Sequence, residues 1–175
     1  AFDEPHLLKR FISEATIAST IESPHVVRVL AVGGMETDIP YIAMERLQGH
    51  DLAEQLRNQG RPTGETVELM LGHVAAGLCA AHAIGVVHRD LKPQNIFFAK
   101  DEHGGGCWKL LDFGVSKLLD DTNPITMAHV VGTPQYMAPE QARGEQVDAR
   151  ADQYALGVVL YRCLTGELPF RETDP

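Results

Sequence analysis

The chain has 175 residues, of which 44% are hydrophobic and 22% are charged, and its formal net charge at pH 7 is −9. This composition supplies enough apolar material for one domain with a real core and excludes an intrinsically disordered chain. The acidic balance and the lack of a basic run argue against nucleic acid and membrane surfaces as partners.

The first part of the chain predicts one helix followed by two strands. The helix begins near Asp3, which can cap it, and ends before Pro24, because the residue before a proline resists helical geometry. Residues 26–32 and 41–44 are rich in β-branched and other apolar residues and predict strands. A turn begins between them at Gly33.

Two helices are predicted next. Gly49 breaks the chain, and Asp51 caps a helix that runs to about Gln59. The clearest helix extends over residues 65–84, and Gly85 follows it where a left-handed cap belongs. One apolar stripe marks the buried face of this longer helix, and its members are Val67, Leu71, Val74, Leu78 and Ala81.

The remainder of the chain predicts short strands and then helices. Residues 86–111 predict strands that a polar loop interrupts, and residues 114–132 show no sustained period and predict a loop. A short helix follows Pro139. Residues 152–164 predict a helix that is apolar on nearly every face and therefore buried all round. A few strands followed mainly by helices indicate an α+β fold.

The polar loop at residues 88–95 is the most informative stretch of the sequence. It reads His-Arg-Asp-Leu-Lys-Pro-Gln-Asn. Asp90 can accept a proton from a hydroxyl group, Lys92 can neutralise a phosphoryl group in transfer, and Asn95 can hold a metal ion. Two further short motifs follow along the chain, Asp112-Phe113-Gly114 and Ala138-Pro139-Glu140.

In this order the three motifs resemble the signature of eukaryotic-type protein kinases, and the sequence is similar to the bacterial Ser/Thr subgroup. Each motif alone is weak. Together with the stretch 132–140 they make chance a poor explanation, and the resemblance covers essentially the whole chain. It implies a two-lobe kinase-like fold, the cofactors ATP and Mg²⁺, and phosphorylation of Ser or Thr hydroxyls on protein substrates.

The resemblance assigns the catalytic and metal-binding positions. Asp90 would orient the substrate hydroxyl and accept its proton, and Lys92 would meet the γ-phosphate. Asn95 and Asp112 would bind Mg²⁺, which prefers hard oxygen ligands.

The resemblance also assigns the nucleotide pocket. Met44 would be the gatekeeper residue beside the adenine, and backbone groups of Glu45 and Leu47 would bond the adenine edge. Asp51 would meet the ribose, although a helix-cap role alone explains it about as well. Phe97 would lie under the adenine ring, or else belong to ordinary strand core.

Regulatory roles are implied at further positions. Glu14 would pair with the ATP-binding lysine, unless it is only a solvated helix charge. Phe113 would pack beneath the helix that contains Glu14. Arg89 would clamp a phosphate on the loop that follows, with Thr126 favoured over Thr122 as the site of autophosphorylation. A homodimer is one arrangement in which this reaction could occur.

The last assignments concern the substrate segment and the scaffold. Thr133 and Tyr136 belong to the stretch that receives the substrate residue after the target hydroxyl. Glu140 would pair with an arginine beyond residue 175, and Asp152 would hold the catalytic-loop backbone from below. A packed column is implied by resemblance, formed by Val29, Ala18, His88 and Phe113.

The sequence departs from the family pattern at both ends. A glycine-rich loop and the strand lysine that pairs with Glu14 are absent, so we expect a partial kinase sequence. Residues 1–48 would be the remainder of the small lobe, namely a helix, two strands and the hinge. Residues 49–175 would be a large lobe without its last helices.

Two alternatives compete with a protein kinase. An inert kinase-like scaffold is disfavoured because Asp90, Lys92, Asn95 and Asp112 are all retained. A small-molecule phosphotransferase is disfavoured by the stretch 132–140, which seats a polypeptide. Three scattered cysteines and no signal peptide predict a cytoplasmic domain, with a membrane anchor elsewhere in the protein left open.

Overall fold

The computed structural model describes residue 12 and the ranges 15–34, 41–101, 104–113 and 134–170. The strands in these ranges are β1 (Val29–Gly33), β2 (Tyr41–Met44), β3 (Gly49–Asp51), β4 (Ile96–Lys100) and β5 (Gly106–Leu110). The α-helices with both ends in these ranges are α1 (Leu52–Gln59), α2 (Gly64–Ala83), α3 (Pro139–Ala142) and α4 (Ala149–Thr165). Residue 12 and residues 15–18 are helical as well. Short 3₁₀ turns lie at Pro93–Asn95 and Pro134–Tyr136.

The strands form two antiparallel sheets. One contains β1 and β2, and the other has the order β3-β4-β5. The two are joined through the segment before β1, where Val26 pairs in parallel with Leu110 of β5. The Val27 N–H donates to the Leu110 carbonyl at 2.9 Å, and the Leu110 N–H donates to the His25 carbonyl at 2.8 Å.

This junction explains where the first strand prediction was wrong. β1 begins at Val29 and not at residue 26, because Val26 and Val27 pair with β5 instead. Both valines are buried, with 4% and 7% of their surface exposed. The apolar run therefore serves two partners, and only its second half belongs to the small sheet.

Gly49, which was predicted to break the chain, belongs instead to strand β3. It pairs with Ala99 of β4 and has a φ of 144°. A Cβ atom at this position would lie 1.9 Å from the Phe98 carbonyl oxygen. The close approach of the β4 backbone, and not a break in structure, is what requires glycine here.

Helix α2 confirms the longest predicted helix and corrects one residue of its apolar stripe. Thr63 caps its first turn, and Gly85 has the left-handed φ of 77° expected after its end. Met70 is 1% exposed and faces the core, whereas Leu71 is 36% exposed. By length and composition α2 would also fit a membrane span, but it packs against β5 and α4 as a core helix does.

Helix α4 is not buried all round as predicted. Its inner face is formed by Ala155, Val158, Val159 and Cys163, while Tyr161 is 45% exposed and Leu164 is 60% exposed. The helix ends at Gly166, whose φ of 83° makes a left-handed cap. Burial raises the pKa of the Cys163 thiol to about 11, so this cysteine stays protonated at neutral pH.

Candidate active site

The loop at residues 88–95 is anchored by a buried carboxylate on the first turn of α4. Asp152 is 1% exposed and accepts the backbone N–H groups of His88 at 2.8 Å and Arg89 at 2.9 Å. His82, at the end of α2, donates from Nε2 to the same carboxylate at 2.7 Å. Three donors from two segments thus compensate the buried charge and fix the start of the loop.

The next residues of the loop bring three polar side chains together. Lys92 Nζ lies 2.7 Å from Asp90 Oδ2. The Asn95 amide donates to the Asp90 backbone carbonyl at 2.8 Å and to Asp90 Oδ2 at 3.1 Å. Asp90 is therefore oriented by an ammonium group and an amide.

His88 links this loop to the segment that carries Asp112. Its side chain is fully buried, and burial lowers its pKa, so the imidazole is neutral. Nε2 donates to the Leu111 carbonyl at 2.9 Å, and Nδ1 accepts the Asp90 N–H at 3.3 Å. Its ring lies 4.7 Å from the ring of Phe113, measured between centroids. One side chain thus holds both carboxylate-bearing segments in register.

A cleft of about 410 Å³ opens where these segments meet. Its polar lining comes from the loop and from the segment after β5, namely Asp90, Lys92, Asn95 and Asp112. Its apolar lining is larger and consists of Ala15, Ala18, Val26, Val27, Val29, Ile42, Met44 and Phe113. An apolar chamber whose lining also carries two carboxylates, an amide and one ammonium group is suited to a ligand with a flat apolar part and a polar part.

The donor set at this end of the cleft fits Mg²⁺. Both amide hydrogens of Asn95 are directed to Asp90, so its side-chain oxygen, like the Asp112 carboxylate, is a hard oxygen group on the cleft. Within the described ranges no group of three or more His, Cys, Asp or Glu side chains could hold a metal alone. Mg²⁺ commonly uses one or two protein oxygens and completes its shell with water and phosphate.

Two of the residues at this site have unusual backbone geometry. Arg89 has a φ of 63° and Asp112 a φ of 47°. Among the described residues these are the non-glycine positions with left-handed backbone, a conformation that side chains other than glycine adopt at a cost in energy. Local strain is therefore located beside Asp90 and at Asp112.

The residue after β2 contributes a side-chain contact that no local sequence pattern indicated. Glu45 Oε1 accepts the Arg28 N–H at 2.9 Å and the Lys109 ammonium group at 2.6 Å. Burial alone would raise the pKa of Glu45, but these hydrogen bonds and positive charges outweigh it and hold the pKa below the ordinary value. The Glu45 N–H donates to the Arg28 carbonyl at 2.9 Å, so only its carbonyl remains for a ligand.

The remaining nucleotide positions do not belong to the lining of the cleft. Asp51 caps α1 by accepting the Glu54 N–H at 2.7 Å, and it pairs with Phe97 across the β3-β4 ladder. Leu47 lies between β2 and β3. Met44 is the predicted nucleotide residue that lines the cleft, so the adenine and ribose assignments of the others stay predictions.

Several predicted residues lie outside the described part of the chain. These are Glu14, Thr122, Thr126 and Thr133, together with the whole loop predicted at residues 114–132. Glu140 is half-buried in α3, and no Lys, Arg or His of the described ranges forms an ion pair with it. Its predicted pairing with a later arginine stays a prediction.

Sequence reasoning missed three residues that the geometry makes prominent: His82, Lys109 and Gln141. The Gln141 amide donates to the Arg89 carbonyl at 2.8 Å. For His82 a usable signal was its position one residue after the buried Ala81, at the end of α2. For Gln141 the signal was a glutamine two residues after Pro139, the N3 position that can cap a helix.

The comparisons with known proteins agree on one family. The protein kinase domain model matches residues 2–175. The serine/threonine-protein kinase pkn3 of Myxococcus xanthus is 43% identical over 169 residues, which cover 94% of this chain and 31% of that protein. The serine/threonine-protein kinase PknB of Mycolicibacterium smegmatis is 40% identical over 177 residues, covering 98% of this chain and 28% of that protein.

A solved structure agrees with these relatives. The crystal structure of the Mycobacterium tuberculosis PknI kinase domain matches with a TM-score of 0.75 and 28% identity, covering 99% of this chain and 63% of that chain. The chain thus spans less than a third of the length of the two curated relatives and under two thirds of the solved domain.

Proposed function

This chain belongs to the protein kinase domain family, and on that premise we propose that its protein transfers the γ-phosphoryl group of ATP to Ser or Thr hydroxyls of protein substrates. The observation that carries the proposal is the grouping of Asp90, Lys92 and Asn95 at 2.7–3.1 Å on a cleft that Asp112 also lines. Phosphoryl transfer requires mainly positioning and charge stabilisation, and these side chains can supply both.

Each side chain has one task in this proposal. Asp90 accepts the hydrogen bond of the substrate hydroxyl, orients the oxygen for attack and takes its proton. Lys92, which Asp90 holds in place, directs its positive charge towards the group in transfer. Mg²⁺, held by the Asn95 oxygen and the Asp112 carboxylate, would neutralise charge on the phosphates.

Two carboxylate substitutions test this proposal in the complete protein. Asp90→Asn keeps the shape of the site but removes the proton acceptor, and we expect kcat to fall by about 10²–10⁴-fold. Asp112→Asn should abolish most transfer and raise the Mg²⁺ concentration needed for what remains. Glu54→Gln, an exposed carboxylate on α1, is the matched control and should leave transfer of radiolabelled phosphate unchanged.

The result also decides the inert alternative. A scaffold module would show no transfer in the unchanged protein, and a kinase whose metal ligands lie elsewhere would label equally with and without Asp112→Asn. Phosphoamino-acid analysis of the product identifies the accepting hydroxyl. Labelled tyrosine, or labelling of small molecules alone, would contradict the proposed Ser/Thr protein substrate.

Autophosphorylation forms the finer part of the proposal. Thr126 would be the acceptor, and Arg89 would bind the phosphate once it is attached. Mass spectrometry of the active protein should find phosphate at Thr126 and find none in Asp90→Asn. If two copies phosphorylate each other, the initial rate per molecule rises with protein concentration; a rate independent of concentration indicates reaction within one copy.

A further inference from the structure

One peptide unit connects the strained residue Arg89 to Asp90. Its oxygen is the Arg89 carbonyl and its hydrogen is on the Asp90 nitrogen, and the atoms of the unit lie in one plane. The oxygen accepts the Gln141 Nε2 amide at 2.8 Å, and the nitrogen donates to His88 Nδ1 at 3.3 Å. The plane is therefore held at both edges, and its orientation sets the direction in which Asp90 leaves the backbone.

The Gln141 end of this contact is itself fixed to the substrate segment. Gln141 is the third residue of α3, and its Oε1 accepts the N–H of Ala138 at 3.4 Å. Ala138 is fully buried and follows directly on the stretch 134–137. One carboxamide therefore receives a hydrogen bond from the substrate segment and donates one to the catalytic loop.

The strain at Arg89 makes such an outside contact necessary. A left-handed non-glycine residue persists only where its surroundings hold it. Asp152 fixes the N–H of Arg89 from one side, and Gln141 fixes its carbonyl from the other. Without Gln141 the Arg89 N–H would stay anchored to Asp152, while the peptide that leads into Asp90 would keep only its 3.3 Å hydrogen bond to His88 Nδ1.

We propose that Gln141 is a positioning residue that orients Asp90 through the Arg89 carbonyl and so couples the order of the substrate segment to the catalytic carboxylate. The inference rests on the proposed phosphoryl transfer. Gln141 does not belong to the described lining of the cleft, so it acts on turnover and not on nucleotide binding.

Three substitutions in the complete protein separate the two hydrogen bonds of this side chain. Gln141→Met removes both, Gln141→Glu keeps only the acceptor for Ala138, and Gln141→Lys keeps only a donor for the Arg89 carbonyl. We expect the Gln141→Met and Gln141→Glu variants to have a kcat for peptide phosphorylation about five- to tenfold lower, with an unchanged KM for ATP. The Gln141→Lys variant should retain most of the kcat of the unchanged protein. A residue that only caps α3 gives the opposite order, with Glu active and Lys impaired.

Hydrogen–deuterium exchange of the peptide covering residues 88–95 provides a readout that does not depend on activity. The Gln141→Met and Gln141→Glu variants should increase the exchange rate of this peptide severalfold, and the Gln141→Lys variant should leave it near that of the unchanged protein. Gln153→Met, at an exposed position of α4, is the matched control and should change neither readout.

The two readouts separate the outcomes. Unchanged exchange and kcat in Gln141→Met would overturn the positioning role, as would a Lys variant that behaves like Met. If the unchanged protein transfers no phosphate but the exchange order holds, the proposed function fails and the contact that positions Asp90 stands.

Discussion

Asp152 carries a negative charge at a place where almost no solvent reaches it. The N–H groups of His88 and Arg89 and the His82 imidazole compensate that charge, so the carboxylate and its donors stabilise each other. Removal of such a carboxylate leaves buried donors without an acceptor, which costs more than the hydrogen bonds themselves contribute.

We therefore expect Asp152→Ala to lower the free energy of unfolding by about 3–5 kcal/mol, measured by urea denaturation. Gln153→Ala, one residue further along α4 and exposed, should stay within about 0.5 kcal/mol of the unchanged protein. Equal effects of the two substitutions would contradict the anchoring role of Asp152.

At the scale of single residues, the sequence predicted a site whose members lie close together along the chain. It missed contacts between residues that lie far apart along the chain. Asp90, Lys92 and Asn95 lie within six positions of the chain, so local spacing was enough to group them. His82 meets Asp152 from 70 positions away, and Gln141 meets Arg89 from 52 positions away. No local pattern encodes those separations.

At the scale of elements, the predicted apolar stripe of α2 contained one wrong residue, Leu71 in place of Met70. The helical period allows either Met70 or Leu71 to face inwards there, and the packing against β5 and α4 selects Met70. Strand β3 was missed because a glycine signals a break to sequence reasoning, whereas here it permits close approach to β4.

The corrected stripe predicts different effects for adjacent substitutions. Met70→Ala removes a side chain that is 1% exposed and should lower the free energy of unfolding by about 2–5 kcal/mol. Leu71→Ala, at 36% exposure, should cost less than about 1 kcal/mol. If chemical denaturation showed a larger loss for Leu71→Ala than for Met70→Ala, Leu71 would be the residue that faces the core, as first predicted.

Two histidines join α2 to β5 and to the segment before β1. The rings of His25 and His73 stack at 4.1 Å between centroids. His25 Nδ1 donates to the Trp108 carbonyl at 3.1 Å, and the Trp108 N–H donates to His73 Nδ1 at 3.2 Å. A proton on Nδ1 of His73 would oppose that N–H, so the folded contact requires a neutral His73.

This contact predicts a pH dependence of stability. Burial lowers the pKa of His73 in the folded state, and the charge of His25 lowers it further. Below the ordinary value of 6.5 the unfolded chain therefore binds more protons than the folded chain, so stability falls as pH falls through 6.5 and is unaffected above it. His88, whose pKa burial also lowers, contributes in the same direction.

The measurement is the free energy of unfolding between pH 5 and pH 8, with and without His73→Gln. The substitution should flatten the decline below pH 6.5 without removing the share that His88 contributes. An unchanged slope would show that folding does not lower the pKa of His73.

At the scale of the whole molecule, the fold class and the family were accessible from sequence, whereas the joint between the two sheets was not. The α+β arrangement and the incomplete two-lobe kinase fold agree with the matched family and with the PknI kinase domain. The joint consists of backbone pairing at Val26 and Leu110 and of the Glu45–Lys109 ion pair, all of them long-range contacts.

The ion pair predicts a measurable coupling between the residue after β2 and β5. Glu45 and Lys109 are 23% and 16% exposed, and a double-mutant cycle with Glu45→Gln and Lys109→Met should give a coupling free energy of about 1 kcal/mol. Since the folded pKa of Glu45 is depressed, its contribution is present above the ordinary value of 4.5 and is lost as pH falls through the folded value. Additive single effects would mean that the pair contributes nothing.

Arg89 and Asp112 have left-handed backbone. Substitutions that relax it would raise heat resistance but lower the proposed turnover. Both positions hold an unfavourable conformation, one at Asp112 itself and one directly before Asp90, and glycine would relieve it. A mutant library screened by heating alone should therefore accumulate relaxed residues at these positions. Under the proposed function, the surviving lineages would gain melting temperature and lose phosphate transfer together.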